Sequence, residues 1–212
     1  MWIFWPPGPP KAVVVFIHGL GRGELTPANH RPWLMHLAEN GSAVLYPRYE
    51  SRLGGADAVL HVLAAVKKGL ERVHRKGLPL VAIGYSRGAE IVVDYAAVAR
   101  AAGPPPRAVL SVFPVTVDPL DPALDLRTID RRTRISILLG DRDTVVDGAG
   151  GRQLLARLER ARFPAARVSL EVLKSRPGFS VTHLAPLEVS PAAKAAFWAR
   201  ADRLVDRARG EG

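Results

Sequence analysis

Ser86 stands in the string Gly84-Tyr85-Ser86-Arg87-Gly88, a G-x-S-x-G spacing. A serine hydroxyl is a poor nucleophile near neutral pH and attacks a carbonyl only when a base takes its proton. The string by itself is not specific, because a chain of this composition produces one by chance with a probability of roughly 0.07. Its setting is specific. The apolar run Leu80 to Ile83 leads straight into it, and a helical pattern carrying Ile91, Val92 and Tyr95 leads straight out. A strand–turn–helix this sharp demands strained dihedrals at the serine. Side chains at positions 84 and 88 would collide across such a turn, and both are glycine; Ala89 keeps the next position small. The hydroxyl is then expected at a helix N-terminus, where backbone N–H groups and the helix dipole favour a developing oxyanion.

The base must come from six histidines. His36, His61 and His74 fall on predicted helices, His30 in a loop, and His18 in a His-Gly turn. His183 lies in Val181-Thr182-His183-Leu184-Ala185-Pro186, between the last predicted strand and the last predicted helix. That loop leaves the same sheet edge from which Ser86 is expected to project. The carboxylate that orients the base is expected in Gly140-Asp141-Arg142-Asp143-Thr144-Val145-Val146, after the fifth predicted strand. Spacing alone does not choose between Asp141 and Asp143. Asp147 is a third candidate and Asp118 a distant fourth.

These residues need a sheet to hold them. Apolar, mostly β-branched runs at 12–17, 43–46, 80–83, 108–112, 135–139 and 168–173 predict about six strands. Unbroken apolar runs suit parallel strands covered on both faces. Helices are predicted over 32–39, 56–76, 87–100, 151–162 and 191–209. The second of these carries Val59, Leu60, Leu63, Val66, Leu70 and Val73 at helical spacing, with Gly77 as its expected C-cap. Ser190-Pro191 predicts a capped start with proline in the first turn of the last. The alternation of the two element types predicts an α/β fold with a mostly parallel central sheet and helices on both faces. Pro104-Pro105-Pro106 reads as a stiff connector within one domain spanning 1–212. Val115 to Arg132, rich in proline and aspartate, is the one long irregular stretch.

A chain of 212 residues, 48% apolar, buries a sizeable core and is not disordered. It has no cysteine, which excludes disulfides and thiolate metal sites and leaves the cytoplasm as the expected location. The first residues carry no basic segment or cleavage site of a signal peptide, and no stretch is long and apolar enough to span a bilayer. The net charge of +10 is scattered. Its densest cluster, Arg131-Arg132-Thr133-Arg134, has no interleaved aromatic residue on which a base would stack, so no nucleic-acid partner is expected. Trp33, Tyr49, Tyr85, Phe113 and Phe179 are candidates to line a cleft, or else core and rim.

Over nearly its whole length the chain resembles the alpha/beta-hydrolase superfamily. The order Ser86, Asp143, His183 matches that family's nucleophile–acid–base order. Gly140-x-x-Asp143-x-x-Val146 fits the family's acid loop, and Asp141 does not. Phe16-Ile17-His18-Gly19-Leu20-Gly21 is similar to its His-Gly oxyanion segment. The resemblance implies an oxyanion hole from the backbone N–H groups of Leu20 and Arg87, with His18 holding the loop. It departs from the pattern in two places. The usual first hairpin is missing or reduced to Trp2–Phe4, and the segment from Pro114 to Arg132 shows no helical lid; both features resemble small, lid-poor esterases and lipases. The expected chemistry is two-step acyl transfer on a small ester, with Ser86 as nucleophile, His183 as base and Asp143 as orienting acid, and with no metal or cofactor. The same triad also serves amide, thioester, carbon–carbon and peracid chemistry, and a binding domain on the same fold would need none of the three residues.

Overall fold

A computed structural model describes residues 1–49, 55–74, 77–116 and 124–210. Asp118, Pro119, Asp121 and Pro122 lie outside the described residues, as does the predicted helix end at Lys76.

Among the described residues, seven strands form one sheet: β1 (Trp2–Phe4), β2 (Ala12–Ile17), β3 (Ser42–Tyr46), β4 (Leu80–Tyr85), β5 (Ala108–Val112), β6 (Arg134–Gly140) and β7 (Val168–Leu173). Their spatial order is β1-β3-β2-β4-β5-β6-β7. All neighbours run parallel except β1, which pairs antiparallel with β3 through Trp2↔Tyr46 and Phe4↔Val44. This is the strand beyond the predicted six. Three residues are too few for a legible alternation, and β1 is held by its ladder to a strand that is buried throughout.

The apolar runs become strands because helices cover both faces, so nearly every side chain of β2 to β5 is removed from water. On one face, α1 (Arg31–Glu39) packs Trp33, Leu34 and Leu37 with Phe16, Tyr46 and Phe113. The C-terminal helical stretch joins them. It is built of α5 (Pro191–Ala193), a wider π turn at Lys194–Trp198, and α6 (Ala199–Gly210), and it buries Phe197, Trp198 and Val205. Ser190 Oγ caps its start by accepting from the Ala193 N–H at 3.2 Å. On the other face lie α2 (Gly55–Val73), α3 (Arg87–Val98) and α4 (Ala149–Arg160). The α2 helix ends at Val73, the last residue of its apolar pattern. His74 takes a left-handed φ of 50° directly after Val73, and Gly77, at φ 81°, shapes the following turn instead of capping the helix.

The order places β3 on one side of β2 and β4 on the other. The chain therefore winds outward in opposite directions from β2 and leaves a crevice at the C-terminal ends of β2 and β4. Between β5 and β6 the described residues hold no α-helix, only a single 3₁₀ turn at Leu126–Thr128, so nothing described there forms a helical lid.

Candidate active site

Ser86 follows β4 directly and occupies φ 55°, ψ −120°, a combination that a non-glycine residue adopts only under constraint. The glycines on either side explain how the turn closes. A Cβ on Gly84 would lie 2.1 Å from the carbonyl oxygen of Gly88, and one on Gly88 would lie 2.1 Å from that of Ile17. Backbone thus passes against backbone on both sides of the serine. The turn is tied to the sheet by the Ser86 N–H, which donates to the Val112 carbonyl at 2.9 Å.

Three side chains from three loops meet at this edge of the sheet. The Ser86 hydroxyl lies 2.9 Å from His183 Nε2, and His183 Nδ1 lies 2.8 Å from Asp143 Oδ2. With a carboxylate facing Nδ1, the ring proton sits on that nitrogen, leaving Nε2 to accept from the hydroxyl. The other carboxylate oxygen of Asp143 accepts from the N–H groups of Val145 at 2.9 Å and Val146 at 3.2 Å. Burial pushes the Asp143 carboxyl up, but the bonds from His183 and these two N–H groups outweigh it and hold the acid below its ordinary range. Ser86, Asp143 and His183 are each more than nine-tenths buried.

The other acidic candidates do not reach the histidine. Asp141 is exposed and ties down a neighbouring loop, accepting from the Ser175 N–H at 3.0 Å and the Ser175 hydroxyl at 2.6 Å. Asp147 is exposed at a left-handed φ of 49°. Among the histidines, His36 pairs with Asp202 at 2.8 Å, and His61 and His74 are exposed.

His18 is fully buried. Its Nδ1–H donates to the Gly19 carbonyl at 2.8 Å, while its own carbonyl accepts from the Tyr49 hydroxyl at 2.7 Å. Its ring stacks on Tyr49 with centroids 4.3 Å apart, and its Nε2 is buried without a hydrogen-bond partner. Burial is the largest influence on it and pulls its pKa from 6.5 down to about 4, so the ring is neutral at working pH. Gly19 lies against Ser86: a Cβ there would come within 3.1 Å of Ser86 Cβ. Leu20 follows it and is 53% exposed, and Arg87 opens α3 on the other side of the serine.

No family model and no curated protein matches the sequence. Solved structures do match the backbone. Est2, a thermophilic esterase from the planctomycete Thermogutta terrifontis in its butyrate-bound form, superposes with a TM-score of 0.65 at 18% identity, over 97% of this chain and 88% of that one. Esterase B from Lactobacillus rhamnosis, inhibited by a tributyrin phosphonate, gives 0.71 at 15% identity, over 97% and 78%. A Klebsiella pneumoniae protein named as a dienelactone hydrolase gives 0.66 at 15% identity, over 95% and 90%. The fold is that of the alpha/beta-hydrolases.

On the alpha/beta-hydrolase frame, two features of the site escape sequence reasoning. Tyr85, the x of the serine motif, is not a cleft wall. It is buried, and its hydroxyl donates to the His183 carbonyl at 2.8 Å, so the residue before Ser86 fixes the backbone of His183. Burial pushes the Tyr85 phenol well up, which keeps it a donor. Phe113 is also buried, at a left-handed φ of 57°, with its ring 6.1 Å from that of His183. Trp33, Tyr49 and Phe179 are core as well, so none of the five aromatic candidates is an open cleft wall. A tyrosine that reaches across 98 positions leaves no local signal in the sequence. The second missed feature is the pairing of Glu24 with His30, both buried.

Proposed function

We propose that this protein is a serine hydrolase that cleaves carboxylic esters through an acyl-enzyme on Ser86. The observation that carries the reading is the continuous hydrogen-bonded line Ser86–His183–Asp143, at 2.9 and 2.8 Å, on a serine held in strained backbone. Est2 binds butyrate and esterase B is inhibited by a tributyrin phosphonate. Those likenesses support an ester of a short acyl chain as the first substrate to try.

In the proposed cycle His183 Nε2 takes the hydroxyl proton as Ser86 Oγ attacks the ester carbonyl. Asp143 holds the tautomer that makes this possible and offsets the charge of the imidazolium. The protonated histidine gives its proton to the leaving alcohol, and water repeats the sequence on the acyl-enzyme. The negative oxygen of each tetrahedral intermediate is assigned to the N–H groups of Leu20 and Arg87.

Arg87 supplies an N–H from the first turn of a helix, where the dipole favours an anion. Leu20 is supported by the plane of one peptide. His18 holds the Gly19 carbonyl toward its own ring. In a trans peptide the N–H points opposite to the C=O, so the Leu20 N–H is turned away from the buried histidine. The role of His18 is therefore to aim a donor. His18 is not placed as a base for Ser86, whose hydroxyl faces His183 instead.

The test is a panel of p-nitrophenyl esters of increasing chain length, with fluorophosphonate labelling of wild type and Ser86→Ala. Turnover of short esters and a label lost in the variant are the expected results. A wild type that is labelled but turns over no ester would redirect the triad to another bond. A wild type that is neither labelled nor active would leave the fold as a binding domain.

A further inference from the structure

Beneath the Gly19–Leu20 segment lies a second set of buried polar groups that ester hydrolysis does not use. Glu24 sits in the 3₁₀ turn Arg22–Leu25, and its N–H donates to the Gly21 carbonyl at 3.1 Å, one residue beyond Leu20. Its carboxylate is fully engaged. Oε2 lies 2.6 Å from His30 Nε2, and Oε1 accepts from Asn29 Nδ2 at 2.8 Å. The Glu24 carbonyl accepts from the Tyr46 hydroxyl of β3 at 2.8 Å. Glu24 and His30 are 6% and 2% exposed.

The His30 ring reaches both halves of the catalytic apparatus. It lies 4.9 Å from Phe16 on β2, the strand that runs into His18-Gly19. It meets Tyr85 edge-on at 5.4 Å, and Tyr85 in turn donates to the His183 carbonyl. One buried pair thus touches the loop of the proposed oxyanion donor on one side and the support of the base on the other.

A buried carboxylate bonded to an imidazole is a poor way to gain stability, because taking its charge out of water costs about as much as the bond returns. A pair of apolar side chains would fill the space as well. What the pair supplies is direction, since each bond fixes both distance and angle. Burial pushes the Glu24 carboxyl up, and the bonds from His30 and Asn29 more than reverse this, so the carboxylate keeps its charge and its acceptors.

Resting on the hydrolase reading above, we propose that Glu24, through His30, is a positioning residue that holds the Leu20 N–H and the Ser86–His183 pair in one register. Glu24 touches no substrate. It acts by fixing where the Gly19–Leu20 peptide lies relative to the attacked carbonyl.

The test compares wild type, Glu24→Gln and the double variant Glu24→Met with His30→Leu, which removes the pair without stranding a charge. Each is assayed well below its Tm on an ester and on the matching thionoester, whose sulfur is a weak acceptor for an oxyanion donor. The expected result is a fall in kcat of about 10- to 100-fold with KM changed less than about threefold. The ratio of ester to thionoester rates narrows by a similar factor, because the thionoester gains little from the donor in the first place. Should Glu24→Gln fail to fold, the double variant carries the comparison. Unchanged kcat in a folded variant overturns the proposal, and so does a slower enzyme with an unchanged rate ratio, which would mark the pair as structural only. A wild type that neither turns over ester nor takes the fluorophosphonate label instead overturns the hydrolase reading and the positioning role with it.

Discussion

Acidification from pH 7 to pH 5 is expected to destabilise this protein through His18. Its ring is fully buried, its Nδ1–H is committed to the Gly19 carbonyl, and its Nε2 has no partner to receive a second proton. Burial is the dominant cause of its low pKa. The Gly19 carbonyl and Glu24 push weakly the other way, while His30 and Arg48 add to the lowering. Free in the unfolded chain it titrates at 6.5; folded, at about 4. Between those values the unfolded state binds a proton that the folded state refuses, so stability rises with pH across the window. His18's contribution is complete above 6.5 and drains away as pH falls toward 4. Linkage puts the loss between pH 7 and pH 5 at about 2 kcal/mol, a large share of the ~5–15 kcal/mol that holds a typical domain folded. Asp143 and Glu24, whose carboxyls are held low, add their losses only below the ordinary carboxylate range. Urea unfolding at pH 7, 6 and 5 measures the slope, with a constant m-value as the check that the transition is unchanged. His18→Gln keeps the other five histidines and removes this one. The variant is expected to be less stable at pH 7 but flatter in pH, by about 2 kcal/mol over the same window. An equal slope in both proteins would show that His18 is not the group that refuses the proton.

Four further outcomes follow from the same geometry. Ser86→Ala should abolish ester turnover, with residual activity below about one per cent and an unchanged unfolding midpoint, since removing such a nucleophile costs orders of magnitude in rate. The log of kcat/KM should rise with pH along a single acid limb that is lost in His183→Gln, because the base must be neutral to accept the hydroxyl proton; a profile flat to pH 4 would exclude a histidine base. Asp143→Asn should cost about 10⁴ in kcat, because an amide facing His183 Nδ1 favours the wrong tautomer, whereas Asp141→Asn should weaken only the tie to Ser175 and leave the rate nearly intact; comparable losses would undo the assignment. Gly88→Ala should lower the unfolding free energy by about 1–3 kcal/mol, read as a lower urea midpoint at constant m-value, because the added methyl would sit 2.1 Å from the Ile17 carbonyl and 2.4 Å from that of His18, neither of which can give way alone.

What the sequence made legible depended on how local the signal was. Ser86 could be read because one short string carries both glycines that its turn requires. The strands β2 to β5 could be read because cover on both faces makes each a nearly unbroken apolar run. The edge strand β1 carries no such run and is named only through the family resemblance, as one of two alternatives, because its three residues are strand only by pairing with β3. The same boundary runs through the acid. Asp141 and Asp143 share one loop, and spacing leaves both open. The structure separates them by what each oxygen faces: Ser175 on the exposed side for one, and His183 on the buried side for the other.

That boundary also explains where the proposed positioning residues hide. A nucleophile needs a rare backbone, and a rare backbone needs glycines at fixed offsets, so the chemistry writes itself into adjacent letters. A residue that holds the nucleophile's neighbours needs only a side chain of the right length at the right place, supplied from any part of the chain. Tyr85 reaches His183 from 98 positions away, and Glu24 meets His30 across a loop that gives no periodic signal. Among the six histidines, burial and partner sort the roles. Two are exposed and His36 pairs with Asp202 near the surface. His183 joins a hydroxyl to a carboxylate, His18 faces a carbonyl with its other nitrogen bare, and His30 faces a carboxylate alone. A histidine set between a donor and a carboxylate can relay a proton. One that meets a single acceptor and is otherwise sealed from water can only hold that acceptor in place. On this argument His18 and His30 are parts of the frame, and His183 is the histidine whose surroundings suit the proposed general base.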